Sequence, residues 1–149
     1  MLEYIDDVDR ALGELRRVLR PGARLVLLDT DWDTLVWSAR DEALAARIVD
    51  AWRSHASHAR LPRVLASSVR AAGLHVTDVF SLTLLNTAYN ESTYSYNLAG
   101  LIDHYVRSSS AVSDDELDAW LGELSSLDQE GAYFFSLNRY GFCATNTAA

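Results

Sequence analysis

Apolar side chains at Val8, Ala11, Leu12, Leu15, Val18 and Leu19 recur at helical spacing. Asp6 or Asp7 stands where a cap belongs, and Pro21 with Gly22 stops the run. The segment RLVLLD from Arg24 to Asp29 follows, short and continuously apolar, as in a buried strand of parallel type. After a polar and aromatic stretch from Thr30 to Thr34, a second helix places Leu44, Ile48, Ala51, Trp52 and His55 on one face. A third starts near Pro62, carries Val64, Leu65, Ser68, Val69 and Ala72, and ends at Gly73. Leu74 to Leu85 is a long strand, and Asn86 to Asn97 a polar, tyrosine-rich loop. The fourth helix shows Leu98, Leu101, Ile102, Tyr105 and Val106. Ser108 to Ser110 then form a linker. Ser113 and Glu116 spell a capping box for a fifth helix with Leu117, Trp120, Leu121, Leu124 and Leu127 on its face.

The last element, Tyr133 to Ala144, is apolar on both alternating sets. Tyr133, Phe135, Leu137 and Cys143 fall on one side, and Phe134, Tyr140, Phe142 and Ala144 on the other. A strand covered on both faces belongs inside a sheet. Its available neighbours are 24–29 and 74–85, so the inferred order is first strand, last strand, middle strand. The pattern predicts one α/β domain over 1–149 with three strands and about five helices.

Composition narrows the partners. Thirteen basic against 21 acidic residues give a net charge of -8, which repels nucleic-acid backbones. The nearest basic group, Arg10, Arg16, Arg17 and Arg20, lies on the first helix, mostly in its last turns, where cations complement the helix dipole. Cys143, the one cysteine, has no disulfide partner within the chain and sits among apolar residues as a small core side chain. Glu3, Asp6, Asp7 and Asp9 do not suit a signal peptide, and no apolar run has membrane-spanning length. A cytoplasmic protein with neither membrane nor nucleic-acid partner is expected.

Ligands of open α/β sheets bind beyond the carboxyl ends of the strands. Asp29, Asp31, Trp32 and Asp33 stand there. Asp31 is the candidate catalytic residue, able to orient or deprotonate an acceptor; the alternative for these aspartates is a solvated turn or helix cap. Trp32 either stacks on an acceptor or anchors the core. Asn138 and Arg139 interrupt an apolar strand, so they either find structural partners or face a pocket. Tyr89, Tyr94 and Tyr96 suit a lid over a substrate or an ordinary packed loop. His55 and His58 have the spacing of a helical metal pair but no third ligand, and no metal site is expected.

The segment LEYIDD from Leu2 to Asp7, then Ala11 and Leu12, then RVLRPGARLVLLD from Arg17 to Asp29 resemble class I S-adenosylmethionine-dependent methyltransferases of the ubiquinone/menaquinone-biosynthesis type. LNT at Leu85, TYSY at Thr93 and FFSLNRY at Phe134 resemble one small-molecule branch of it. The resemblance covers essentially the whole chain. It implies the C-terminal part of a Rossmann-like methyltransferase sheet, with the last two strands an antiparallel pair and the final one inserted beside the fifth of the family. It also implies a small-molecule acceptor, for which Trp32, Tyr89, Tyr94, Tyr96, Asn138 and Arg139 are the candidate binding residues. Leu2, Glu3 and Tyr4 match the segment that approaches the methyl donor.

The family cradles that donor with a glycine-rich turn, and the chain has no G-x-G; its seven glycines are scattered, and Ala23 replaces a glycine common in the family's turn. The expectation is therefore the acceptor-binding half of a methyltransferase, with S-adenosylmethionine held only in the complete enzyme. A repurposed cyclase or isomerase and a non-catalytic interaction module are the alternatives. The first strand should be left as an edge, inviting a homodimer or a separate N-terminal half.

Overall fold

The computed structural model describes residues 2–109 and 111–147. The fold is α/β. Its elements are α1 (Val8–Val18), β1 (Arg24–Thr30), β2 (Val36–Trp37), α2 (Glu42–Arg53), α3 (Pro62–Ala71), β3 (His75–Asn86), α4 (Tyr94–Ser109), α5 (Asp114–Gln129) and β4 (Phe135–Thr145). Short 3-10 turns cover Leu2–Tyr4 and Trp32–Thr34. Contacts group the chain into two compact units. One holds Met1–Asp33, Ala56–Thr83 and Asn138–Ala149; the other holds Thr34–His55 and Leu84–Leu137.

In the first unit β4 runs antiparallel to β1, from Arg24 opposite Thr145 to Thr30 opposite Arg139. β3 also pairs with β4. Phe80 lies over Gly141, and Thr83 reaches Asn138. These contacts advance along β3 as they retreat along β4, so this pair is antiparallel too. β4 thus stands between β1 and β3, in the inferred order. β1 departs from expectation in one respect: its only described pairing is antiparallel, and it is not fully buried, with Val26 62% exposed. An apolar run reports a strand's hydrophobicity but not which edges are occupied.

Local chemistry sets the helices of this unit. The Asp7 side chain accepts from the Arg10 amide at 2.8 Å and caps α1. Pro62 opens α3, and Gly73, at φ 80°, lets the chain turn out of it into β3. α1 and α3 pack together, and Leu12, Leu65, Val69, Leu27 and Phe142 share one core. Each such side chain contributes about 1.5–3 kcal/mol by burial. Val64, expected on the buried face, is exposed, because the stripe of α3 runs through Leu65 and Val69 instead.

In the second unit α2, α4 and α5 pack against one another through Ile48 and Trp52, Ile102 and Val106, and Leu117 and Leu124. The short strand β2, absent from the sequence reading, pairs Val36 with Ser136 and Trp37 with Phe135. The capping box of α5 is present in both halves, Ser113 with Glu116. α4 begins four residues earlier than the apolar pattern indicates. Asn86 Oδ1 accepts from the Ser95 amide at 2.9 Å, and Thr93 Oγ1 accepts from the Tyr96 amide at 3.4 Å. These polar partners extend the helix past its apolar stripe, so Tyr94 and Tyr96 are helical rather than part of a loop. Ser108 and Ser109 also belong to α4, not to a linker; Ser110 lies outside the described residues.

Candidate functional site

The end of β1 is buried. Asp29 is 1% exposed and Asp31 4%, and Thr30 and Trp32 are equally enclosed. The solvated-turn alternative therefore does not hold for Asp29 or Asp31. Burial of carboxylates demands partners. Arg63 of α3 supplies one, bracketing Asp31 with Nε at 2.7 Å and Nη2 at 3.1 Å. The same Nη2 lies 2.9 Å from Asp33, which also takes Arg60 Nε at 2.6 Å. The Asp33 amide donates back to Asp31 Oδ1 at 3.2 Å. Asp31 is thus a fixed carboxylate in an ion-pair network. It is suited to orienting a donor group.

Trp32 is a core anchor with a polar handle. Its amide donates to the Ala59 carbonyl at 3.0 Å, and its indole Nε1 donates to Glu3 Oε2 at 2.9 Å. Glu3 is 4% exposed and lies beside the buried Asp29. Burial, and then the charge of Asp29, hold the Glu3 carboxyl above its ordinary range. Of its neighbours in the turn, Leu2 is buried and Tyr4 exposed. Asn138 accepts from the Thr83 hydroxyl at 2.8 Å, a structural partnership. Arg139 is half-buried, and its Nε has no hydrogen-bond partner among the described residues.

The tyrosines belong to the second unit. Tyr89 packs on Tyr96 and Tyr133, with ring centroids 5.0 and 5.4 Å away, and Tyr94 on Phe135 at 6.1 Å. Burial, followed by the neighbouring Tyr133 and Tyr96, pushes the Tyr89 phenol up to about 12. Tyr133, Trp37, Trp120 and Ser95 complete this cluster and were not singled out from the sequence. Trp37 Nε1 donates to the Tyr133 hydroxyl at 3.0 Å, and the buried Ser95 hydroxyl has no hydrogen-bond partner among the described residues. Trp37 meets Trp120 edge-on at 5.1 Å. A cleft of about 480 Å³ opens beside β2, lined by Val36, Trp37, Ala45, Val49, Arg53 and Trp120 among others. Tyr89, Tyr94 and Tyr96 are not in its lining.

The histidines are structural. His55 stacks on Trp52, with centroids 3.7 Å apart, and burial lowers its pKa. His58 meets the Asp6 carbonyl through Nε2 at 3.2 Å. Among the described residues no three His, Cys, Asp or Glu side chains group to hold a metal, and no helix is long and apolar enough to cross a membrane.

The glycines with positive φ among the described residues, Gly22, Gly73 and Gly131, all follow helices rather than strands. Glu3, which matches the donor-facing segment by resemblance, is engaged with Trp32 and Asp29.

No protein-family model matches the chain. The chain is 29% identical, over 157 aligned positions, to an uncharacterized 37.1 kDa protein in transposon TN4556 of Streptomyces fradiae. The alignment takes in 99% of this chain and 41% of that protein. In fold it is similar to the crystal structure of a "putative methyltransferase" from Bacillus halodurans C-125, with a TM-score of 0.57 at 12% identity. That likeness covers 98% of this chain and 66% of the other. The chain thus spans under half the length of the curated relative and about two thirds of the structural one, and the second likeness is one of fold.

Proposed function

We propose that this chain is the acceptor-side part of an S-adenosylmethionine-dependent methyltransferase acting on a small molecule, with the donor site supplied by further polypeptide. The observation that carries this reading is the methyltransferase-like fold, to which almost every residue of the chain contributes. It is supported by the polar cluster at the carboxyl end of β1, where such sheets bind ligands. There Asp31, fixed by Arg63, would orient the acceptor, Trp32 would exclude water, and Asn138 and Arg139 would line the acceptor side. β1 has no described strand on its far edge, which suits pairing with a separate N-terminal half or a second copy.

Isothermal titration with S-adenosylmethionine tests this on two preparations: the isolated chain, and the chain co-expressed with the polypeptide encoded directly upstream of it. The expected result is no binding by the first and stoichiometric binding by the second. Micromolar binding by the isolated chain would overturn the claim that its donor site lies elsewhere. No binding by either would overturn the methyltransferase reading and favour the repurposed enzyme, for which the internal use of Glu3 already speaks.

A further inference from the structure

The cleft beside β2, within the second unit, has the size and lining of a ligand site. Its volume of about 480 Å³ falls within the range of small-molecule sites, about 300–1,000 Å³. Neither Asp31 and Trp32, nor the three tyrosines, nor Asn138 and Arg139 line it. Trp37, Ala45 and Trp120 are its buried wall, and Val36, Glu42, Ala46 and Asp50 are exposed and form its outer part.

The two indoles of the buried wall differ in one respect. Trp37 Nε1 donates to the Tyr133 hydroxyl at 3.0 Å. Trp120 is only 2% exposed, and its Nε1 has no acceptor among the described residues. A buried indole N–H ordinarily finds a partner, because an unmade bond forfeits the hydration it had in water. Charge then sorts the molecules that could supply the acceptor. Arg53, the cation of the lining, is already paired with Asp50, and Glu42 adds a second carboxylate to the outer part. An anion entering here meets net negative charge, whereas a neutral acceptor does not.

We propose that this cleft binds a flat, uncharged aromatic molecule carrying a carbonyl or ring-nitrogen acceptor, with its rings against Trp37 and Trp120 and its acceptor taking the Trp120 N–H. Val36, Ala45, Ala46 and Val49 complete the apolar surface against which the rings are buried. The site needs no methyl transfer and stands whether or not the chain takes part in one.

Coumarin is the probe: two fused rings, no charge and a carbonyl acceptor. It is titrated into the ¹⁵N-labelled chain, and the indole N–H resonances of the four tryptophans, assigned by triple-resonance NMR, are followed. The Trp120 indole proton is expected to move downfield and to saturate with a Kd on the order of 1 mM or tighter. The Trp32 indole, which donates to Glu3 and does not line the cleft, should stay where it is. Trp120→Phe keeps an aromatic wall but removes the donor, and coumarin should then bind about threefold to tenfold more weakly. Ala46→Trp fills the cleft from its exposed side. It should abolish the coumarin shifts without lowering the thermal midpoint, which keeps the test alive if Trp120→Phe fails to fold. Coumarin-3-carboxylate adds a negative charge to the same rings and should bind more weakly than coumarin. An unmoved Trp120 resonance at millimolar coumarin overturns the proposal, as does equal movement of Trp32. So does an unchanged affinity in Trp120→Phe, binding that survives in Ala46→Trp, or a carboxylate that binds as tightly as coumarin.

Discussion

Asn146 closes α1 from the far end of the chain, and replacing it measures what that closure contributes. Its side chain is buried, and Nδ2 donates to the carbonyl of Leu19 at 2.7 Å and, more weakly, to that of Arg16 at 3.3 Å. The backbone on either side is tied separately, by Gly22 N to Asn146 O at 2.7 Å and Asn146 N to Ala23 O at 3.1 Å. Asn146→Ala therefore removes the side-chain donor without releasing the strand end. The shorter bond contributes about 0.5–1.5 kcal/mol net, and the part-buried carbonyl left without it adds to the loss, for a total of about 1–3 kcal/mol. Asn146→Asp should cost more. A carboxylate cannot donate to those carbonyls, and it sets a negative charge against the negative end of the helix. Urea unfolding of the three proteins, with unchanged m-values, reads both effects. A loss below about 0.5 kcal/mol for the alanine variant would refute the capping role. An aspartate variant no worse than alanine would refute the electrostatic argument.

The Trp37–Tyr133 bond in the second unit should be measurable by a double-mutant cycle on Trp37→Phe and Tyr133→Phe, with a coupling of about 0.5–1.5 kcal/mol. Strict additivity would mean that the 3.0 Å contact contributes nothing. Glu116 should titrate at about 2, held down first by its bond to Arg47 and then by Ser113. Its stabilisation is present above its ordinary value of 4.5 and is lost as pH falls towards 2. Carboxyl chemical shifts followed down in pH check this: Arg47→Ala should raise the midpoint, and an unmoved midpoint would contradict the assignment.

Helices and their limits were largely legible in the sequence because the signals are local. The spacing of Val8, Leu12 and Leu15, the cap at Asp7, the Ser113–Glu116 box, and Pro62 with Gly73 all act within a turn or two of the residues that show them. Strand order was legible for a different reason. β4 is apolar on both sides, and only a central position covers both. The end of β1 was recognisable as a site candidate because strand ends are where open sheets bind ligands. Its chemistry was not. Asp31 meets Arg63 across 32 positions and Trp32 meets Glu3 across 29, and no spacing rule connects such residues. By composition alone, an aspartate after a strand is a surface residue; here the fold encloses it and must supply its partner. The same holds for Asn146, which no local signal marks and which β4 carries back to α1. Periodicity and capping are properties of the chain's own geometry, so the sequence by itself determined the five helices, the three long strands and the order of those strands. Which polar groups are buried, and against what, is settled only when distant segments share one volume, and that was left to the tertiary structure.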